Sequence, residues 1–380
     1  MGAYMKSICL LMGLAACILL TGCEKPPVLI GFSGPLTGSY ADLGVHGRNG
    51  AQLALEEINA QGGIAGRRLE MISRDDKGTA KGAIQADREL IEAKVVAIIG
   101  HMTSSQTLAA MPLIEEAEMV LFSPTTSTPE LSGIKDFFFR IQPTTDTAAT
   151  ALARYAAQNM DLKRIASVSD MNNRAFAQPF HDAFSEEFTT HGKSIVLEKT
   201  ISSPERPDWD ALADELAEAA PDALLVVLSA RDAAALTQAM HARQAVLPLL
   251  SANWAMTEEL LTAGGRTVET MIFSGHAFSD KPTPKYEKFL ENYHKRYGHW
   301  PSFAADYAYD TMGILGKALQ KTGGRKKGLP EALLETRNYP GLRWPISIDA
   351  YGDVVSSIFI TEVKDGQFRI LRTILMEPKP

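Results

Sequence analysis

The stretch Val28-Leu29-Ile30-Gly31-Phe32-Ser33-Gly34-Pro35-Leu36-Thr37-Gly38, read together with the segments after it, decides the fold class. Val28 to Phe32 is a short β-branched and apolar run that reads as a strand. Gly44 to Gln61 has Ala51, Leu55 and Ile58 recurring every three or four residues, the spacing of a helix with one buried face, and Gly62-Gly63 stops it. The same alternation continues outward. Leu69 to Ser73 reads as a second strand, Ala80 to Lys94 as a helix, Val95 to Ile99 as a strand, Ser105 to Ala117 as a helix and Val120 to Ser123 as a fourth strand. Strands alternating with helices predict βαβ units on a parallel sheet, with binding groups at the carboxyl ends of the strands.

A second run of the same kind begins after Arg140-Ile141-Gln142-Pro143. Its predicted helices are Asp146 to Gln158, Arg174 to Thr189, Asp208 to Ala219 and Asp232 to Ala242, and its strands are Ile165 to Ser169, Ser194 to Thr200 and Ala223 to Leu228. Two more helices fall between Lys285 and Lys321. From Pro345 to Arg372 the pattern changes to alternating residues with Asp-Gly turns and no helix, so these late strands must join a sheet already made. No repeat short enough for a solenoid and no long linker is present.

The first twenty-two residues carry one Lys and an apolar run too short to span a bilayer with polar flanks, and they end in Leu20-Thr21-Gly22-Cys23. This resembles a bacterial lipoprotein signal. It implies cleavage before Cys23, lipidation of Cys23 and stable anchoring through two or more acyl chains, with the body periplasmic or at the cell surface. Glu24 rather than Asp follows the Cys, which among such lipoproteins goes with the outer membrane; the choice of membrane stays open. The only cysteines are Cys9, Cys17 and Cys23, so the processed chain is expected to hold neither a disulfide nor a reactive thiolate. What remains is longer than one core usually takes, and two lobes are expected. The net charge of −7 and the lack of basic clustering beyond Arg325-Lys326-Lys327 argue against a nucleic-acid partner.

The chain resembles the type I periplasmic binding proteins, specifically the leucine/isoleucine/valine-binding family that serves ABC importers. The resemblance rests on Ile30 to Gly38, Glu57-Ile58-Asn59-Ala60-Gln61-Gly62-Gly63-Ile64, Ile99-Gly100-His101 with Ser104-Ser105, Ser123-Pro124-Thr125-Thr126-Ser127-Thr128-Pro129-Glu130-Leu131, and Pro301-Ser302 leading to Tyr309-Asp310. It implies an α/β fold of two doubly wound parallel-sheet lobes joined by three crossover strands, with ligand sealed between them. The implied divisions are a signal over 1–22, a lipidated linker over 23–27, a first lobe over 28–141 plus 275–343 and a second over 142–274 plus 344–376. Crossovers are expected near Arg140 to Pro143, Met271 to Gly275 and Leu342 to Ile346.

Ser104 and Ser105 stand between a strand and a helix, where hydroxyls and free backbone N–H groups suit a carboxylate. By the resemblance Ser104 does the ligand work and Ser105 is the helix cap. Thr125 would contribute main chain and Ser127 its hydroxyl, while Met102 and Thr103 beside them pack. Tyr40 is either the family's aromatic at the cleft mouth or an ordinary loop tyrosine. Trp254, in Ser251-Ala252-Asn253-Trp254, either closes over the ligand or packs in the core. Three positions depart from the leucine-binding pattern. Asn253 stands where an acid pairs the ligand ammonium, and Ser229 replaces one cleft tyrosine. Arg174 replaces another, or Phe176 does if the loop slips by two residues. Losing a buried carboxylate removes a partner worth several kcal/mol, and an Arg there would favour a second carboxylate. Asp306, in Phe303-Ala304-Ala305-Asp306-Tyr307, either pairs an ammonium or serves its helix N-terminus. Asp75-Asp76, Arg140 and Asp310 read as loop, hinge and helix-packing residues, and His46 and His101 lack partners at metal-ligand spacing.

The sequence holds no nucleophile elbow, zinc-protease motif or phosphate-cradling loop. No enzymatic activity, cofactor or metal is therefore expected. The expectation is a lipid-anchored substrate-binding protein that hands a small amino acid, of branched-chain type or related, to an ABC permease and its ATPase. The alternatives are a non-amino carboxylate or dicarboxylate as ligand, or a sensor serving a membrane receptor.

Overall fold

A computed structural model describes residues 25–202, 207–276 and 283–374. The signal and Cys23 lie outside the described residues. Strand β1 (Val28–Gly34) is nearly all buried and pairs in parallel with β2 (Leu69–Asp75) on one side and β3 (Ile98–Ile99) on the other. With β4 (Leu121–Ser123) and β5 (Phe138–Arg140) it completes a parallel sheet in the order β2-β1-β3-β4-β5. Helices α1 (Ala41–Ala60), α2 (Ala80–Glu92) and α3 (Ser104–Glu116) connect these strands.

The second sheet repeats that plan. β6 (Arg164–Asp170), β7 (Ser194–Ile201), β8 (Ala223–Val227), β9 (Leu249–Ala252) and β10 (Ile272–His276) run parallel in the order β7-β6-β8-β9-β10. Their helices are α4 (Thr145–Asn159), α5 (Arg174–Thr190), α6 (Trp209–Glu218), α7 (Ala230–Ala242) and α8 (Glu258–Gly264). The chain then returns to the first lobe as α9 (Pro284–Tyr297), α10 (Phe303–Thr322) and α11 (Leu329–Leu334). A two-residue pairing of β11 (Tyr339–Pro340) with β12 (Pro345–Ile346) comes next. The late strands β13 (Ile358–Lys364) and β14 (Gln367–Ile374) extend the second sheet, antiparallel, beside β10.

Val28, Ile30 and Phe32 are fully buried in the first-lobe core, and a side chain of that size contributes about 1.5–3 kcal/mol when taken from water. Helix α1 begins at Ala41, three residues ahead of the predicted Gly44. Gly44 fits that first turn because it lies against the Pro35 carbonyl, where a Cβ would come within 1.9 Å of the oxygen. Gly50 lets α1 back onto α10 in the same way, with the Ala305 carbonyl oxygen 2.1 Å from where a Cβ would be.

The second and third connections between lobes come later in the chain than expected. Met271 is buried against the second lobe, and Ile272 to Gly275 are strand residues of its sheet, so the chain leaves that lobe only after them. Ile346, Ile348 and Val354 belong to the first-lobe core, so the final return comes between Val354 and Ile358 rather than at Leu342 to Ile346. The reason is a buried charge. The Arg140 guanidinium, almost fully enclosed at the end of β5, donates to Asp353 at 2.8 Å and to the Thr128 carbonyl at 2.7 Å, and its backbone N–H donates to the Gly352 carbonyl. A cation taken from water must be paired, and this pairing ties the first and third connections together.

Candidate ligand-binding cleft

Both sheets reverse strand order at one point, between β1 and β3 in the first and between β6 and β8 in the second. In such sheets ligands bind beyond the carboxyl ends of the strands at that point. Here the loops from the two sheets meet around a cavity of about 20 Å³, roughly the space of one water molecule. The first lobe contributes Met102, Thr103, Ser104, Thr125, Ser127 and Gln142, and the second contributes Asn173, Phe176, Asn253 and Trp254. Phe303, at the start of α10, completes the lining with Leu43.

Ser104, Thr125 and Ser127, all candidates on sequence grounds, meet here. Ser104 Oγ accepts the backbone N–H of Ser127 at 3.2 Å. Thr125 commits its hydroxyl to the Met102 carbonyl at 2.7 Å, and its backbone N–H donates to Ser123 Oγ at 3.3 Å. Ser127 Oγ is buried without a hydrogen-bond partner, and so is Gln142 Oε1. Gln142 escapes sequence reasoning; its only signal is a polar residue directly before the Pro of a crossover.

Ser105 does not cap its own helix. Its backbone N–H donates to Asn173 Oδ1 at 3.1 Å, and its hydroxyl accepts the Ala175 N–H at 3.0 Å. The N-termini of α3 and α5 thus face each other across the lobes, each a partial positive charge of about half a unit. Two side-chain oxygens sit between them. A ligand carboxylate carries the same complement of acceptor oxygens.

The aromatic side of the cleft is stoppered. Tyr40 and Trp254 lie with ring centroids 5.5 Å apart, and Phe176 meets Trp254 edge-on at 5.5 Å. The Tyr40 hydroxyl crosses the lobes to donate to Asp170 at 2.6 Å. Burial, with Asp170 beside it, pushes the Tyr40 phenol well above its ordinary range. Burial likewise raises Asp170 against the hydrogen bonds it accepts. Of the two residues considered for the tyrosine position, Phe176 lines the cavity, whereas Arg174 is exposed on the first turn of α5. Ser229 caps α7 by accepting the Asp232 N–H at 3.3 Å.

Asp306 sits in the first turn of α10, buried, but its carboxylate is held by Arg343, with Nε 2.9 Å from Oδ2. Arg343 also donates to the Tyr286 hydroxyl. Burial opposes the guanidinium charge, and Asp306 and Tyr286 outweigh it, holding Arg343 above its usual range. Asp306 is therefore a partner of the arginine and does not line the cavity between the lobes. His101 also has partners that sequence reasoning misses. Asp76 lies 2.8 Å from Nδ1 and Asp87 3.0 Å from Nε2, all three fully enclosed. Asp75 holds the loop after β1 through the Leu36 N–H, and Asp310 accepts the Leu342 N–H. Among the described residues no group of three or more His, Cys, Asp or Glu side chains is placed to hold a metal. No described helix is long and apolar enough to cross a membrane.

Two similar lobes meeting at the carboxyl ends of their sheets define a two-lobed binding protein. Residues 27–367 match the family described as periplasmic binding protein, and the chain belongs to that family of solute-binding proteins. It is 24% identical over 336 residues to a Leu/Ile/Val-binding protein from Rhizobium johnstonii, covering 87% of this chain and 90% of that one. Among solved structures it resembles a leucine binding protein from Thermotoga maritima, with a TM-score of 0.82 at 26% identity, covering 92% of this chain and 99% of that one. It also resembles a solute binding protein of an ABC transporter from Rhodopseudomonas palustris in complex with 3,4-dihydroxybenzoic acid, with a TM-score of 0.82 at 25% identity, covering 93% and 98% of the two chains. The fold is that of the type I periplasmic binding proteins.

Proposed function

We propose that this chain is the substrate-binding component of an ABC importer, lipid-anchored through Cys23 outside the cytoplasm, and that it captures a small carboxylate-bearing solute between its lobes. The observation that carries this reading is the pair of buried oxygens, Ser127 Oγ and Gln142 Oε1, left without partners in residues lining the interlobe cavity. An unpaired buried polar group costs about 1–3 kcal/mol, and a ligand that hydrogen-bonds both removes that cost. The carboxylate is received by Ser104 at the start of α3 and by Thr125 and Ser127 after β4, and the second lobe closes over it with Asn173, Phe176, Asn253 and Trp254. Closure is a hinge motion stabilised by contacts that only the closed state makes. A permease with its ATPase then reads the closed form.

A small amino acid of branched-chain type is the first ligand in this reading, supported by the relatives named for leucine or for Leu/Ile/Val binding. Gln142 Oε1 is then an acceptor for the ammonium. The runner-up is a carboxylate without an amine. It is favoured by Asn253 at the position of the expected acid and by the ion pair that occupies Asp306. A thermal-shift screen separates them, because a ligand at a hundred times its Kd stabilises by about 2.7 kcal/mol. Stabilisation by leucine, isoleucine or valine supports the first ligand, and a response confined to benzoate, 3,4-dihydroxybenzoate or succinate supports the second. A melting temperature unmoved by every amino acid and carboxylate tested contradicts the capture role.

A further inference from the structure

A second cavity, of about 200 Å³, lies next to the cleft and shares two of its walls, Asn253 and Phe303. Its remaining lining combines the apolar Met256, Leu261, Phe359 and Phe368 with polar residues that include Glu258 and Thr361. Two of its lining residues, Thr257 and Ser302, are 4% and 6% exposed, and the hydroxyl oxygen of each is buried without a hydrogen-bond partner. Thr257 belongs to the second lobe, just before α8, and Ser302 precedes α10 of the first. Arg343 reaches the same cavity with its charge already held by Asp306. The other side of the cleft is closed by Tyr40, Phe176 and Trp254.

We propose that the second cavity is a subsite of the ligand chamber. On the reading that the carboxylate is held at Ser104 and Ser127, the ligand body leaves the small cavity past Asn253 and Phe303 and enters the larger space. The ligand class that fits is a carboxylate whose apolar body exceeds a branched four-carbon side chain and ends in a hydroxyl or similar hydrogen-bonding group. Such an end group satisfies Thr257 and Ser302 together. Because these two hydroxyls come from opposite lobes, the far end of the ligand contributes to closure as the head does. A body lying against Met256, Leu261 and Phe368 adds affinity in proportion to the apolar area it buries.

The test is a calorimetric comparison of head-matched probes on the intact soluble body: propanoate, 3-phenylpropanoate and 3-(4-hydroxyphenyl)propanoate, with alanine, phenylalanine and tyrosine as the amino counterparts. In the wild-type protein the long member of the accepted series is expected to bind at least about tenfold tighter than the short one, the gain that two buried methylenes already provide. Leu261→Trp, and in smaller degree Leu261→Phe, narrows the cavity from a half-buried helix position and should lower the long-to-short affinity ratio by about tenfold. Thr257→Val should weaken the phenol about fivefold relative to its phenyl analogue, the loss of one hydrogen bond. Equal binding of short and long probes, or a ratio unchanged in both Leu261 variants, overturns the subsite while leaving the head site standing. Binding of no probe at all overturns the head-site reading and the subsite with it.

Discussion

Single side chains carry the features of this molecule that are hardest to read from sequence. His101 has no metal-ligand partner nearby in the chain, yet it sits between Asp76 and Asp87, residues 25 and 14 positions away. Only the fold brings them together. Burial by itself would lower the imidazole, but the two carboxylates outweigh it and push its pKa up to about 10. A group raised in the folded state from an ordinary value near 6.5 adds stability that is fully present below that value and is lost as pH climbs towards 10. Urea denaturation is therefore expected to give falling stability between about pH 6.5 and pH 10, with a flatter profile for His101→Gln. Imidazole resonances that place the His101 titration near its ordinary value would contradict the buried ion pairing. Asp306 shows the same limit of sequence reading. Its place at a helix start is legible, but Arg343, 37 residues on, is not visible as the group that claims its carboxylate.

Elements are the most legible scale, because periodicity is a local property. The repeated strand–helix alternation predicts β1 to β4, β6 to β8 and most of the helices that follow them. The misses have local causes: β3 pairs over only two residues, although Val96 still donates to Leu29, and α1 starts early because Gly44 fits against Pro35. The facing helix starts are not legible, since each helix looks as though it caps itself. Sequence position assigns Ser105 to the cap of α3, and instead its hydroxyl accepts the Ala175 N–H at the start of α5. Ser105→Ala therefore removes a cap from a helix in the other lobe. The expected cost is about 1 kcal/mol, read from the urea midpoint, with Ser105→Thr close to wild type. Faster hydrogen exchange confined to α3, with amide protection at Ala175 unaltered, would contradict that cross-lobe role.

On the scale of the whole molecule, the two lobes share one strand order and present the same ends of their sheets to each other. The starts of α3 and α5 meet across those ends, and the shared strand order is implied by the two successive runs of strand and helix. The joints are less legible. A crossover has no periodicity of its own, and the final one is set by Arg140 demanding Asp353 and by Ile346 and Ile348 filling the first-lobe core. The Tyr40 bond to Asp170 and the Ser105 contacts with Asn173 and Ala175 already bridge the lobes. Under the proposed function, a ligand seated between them adds to these contacts.

The proposed function requires a carboxylate-bearing solute to be held at Ser104 and Ser127 between the lobes. Calorimetric titration of the best ligand from the thermal screen into wild type and into the Ser104→Ala, Ser127→Ala double variant tests it most directly. Loss of two hydrogen bonds to a charged group is expected to weaken binding by about a hundredfold or more, while circular dichroism stays native. Undiminished affinity in that folded variant would place the ligand elsewhere and contradict the account.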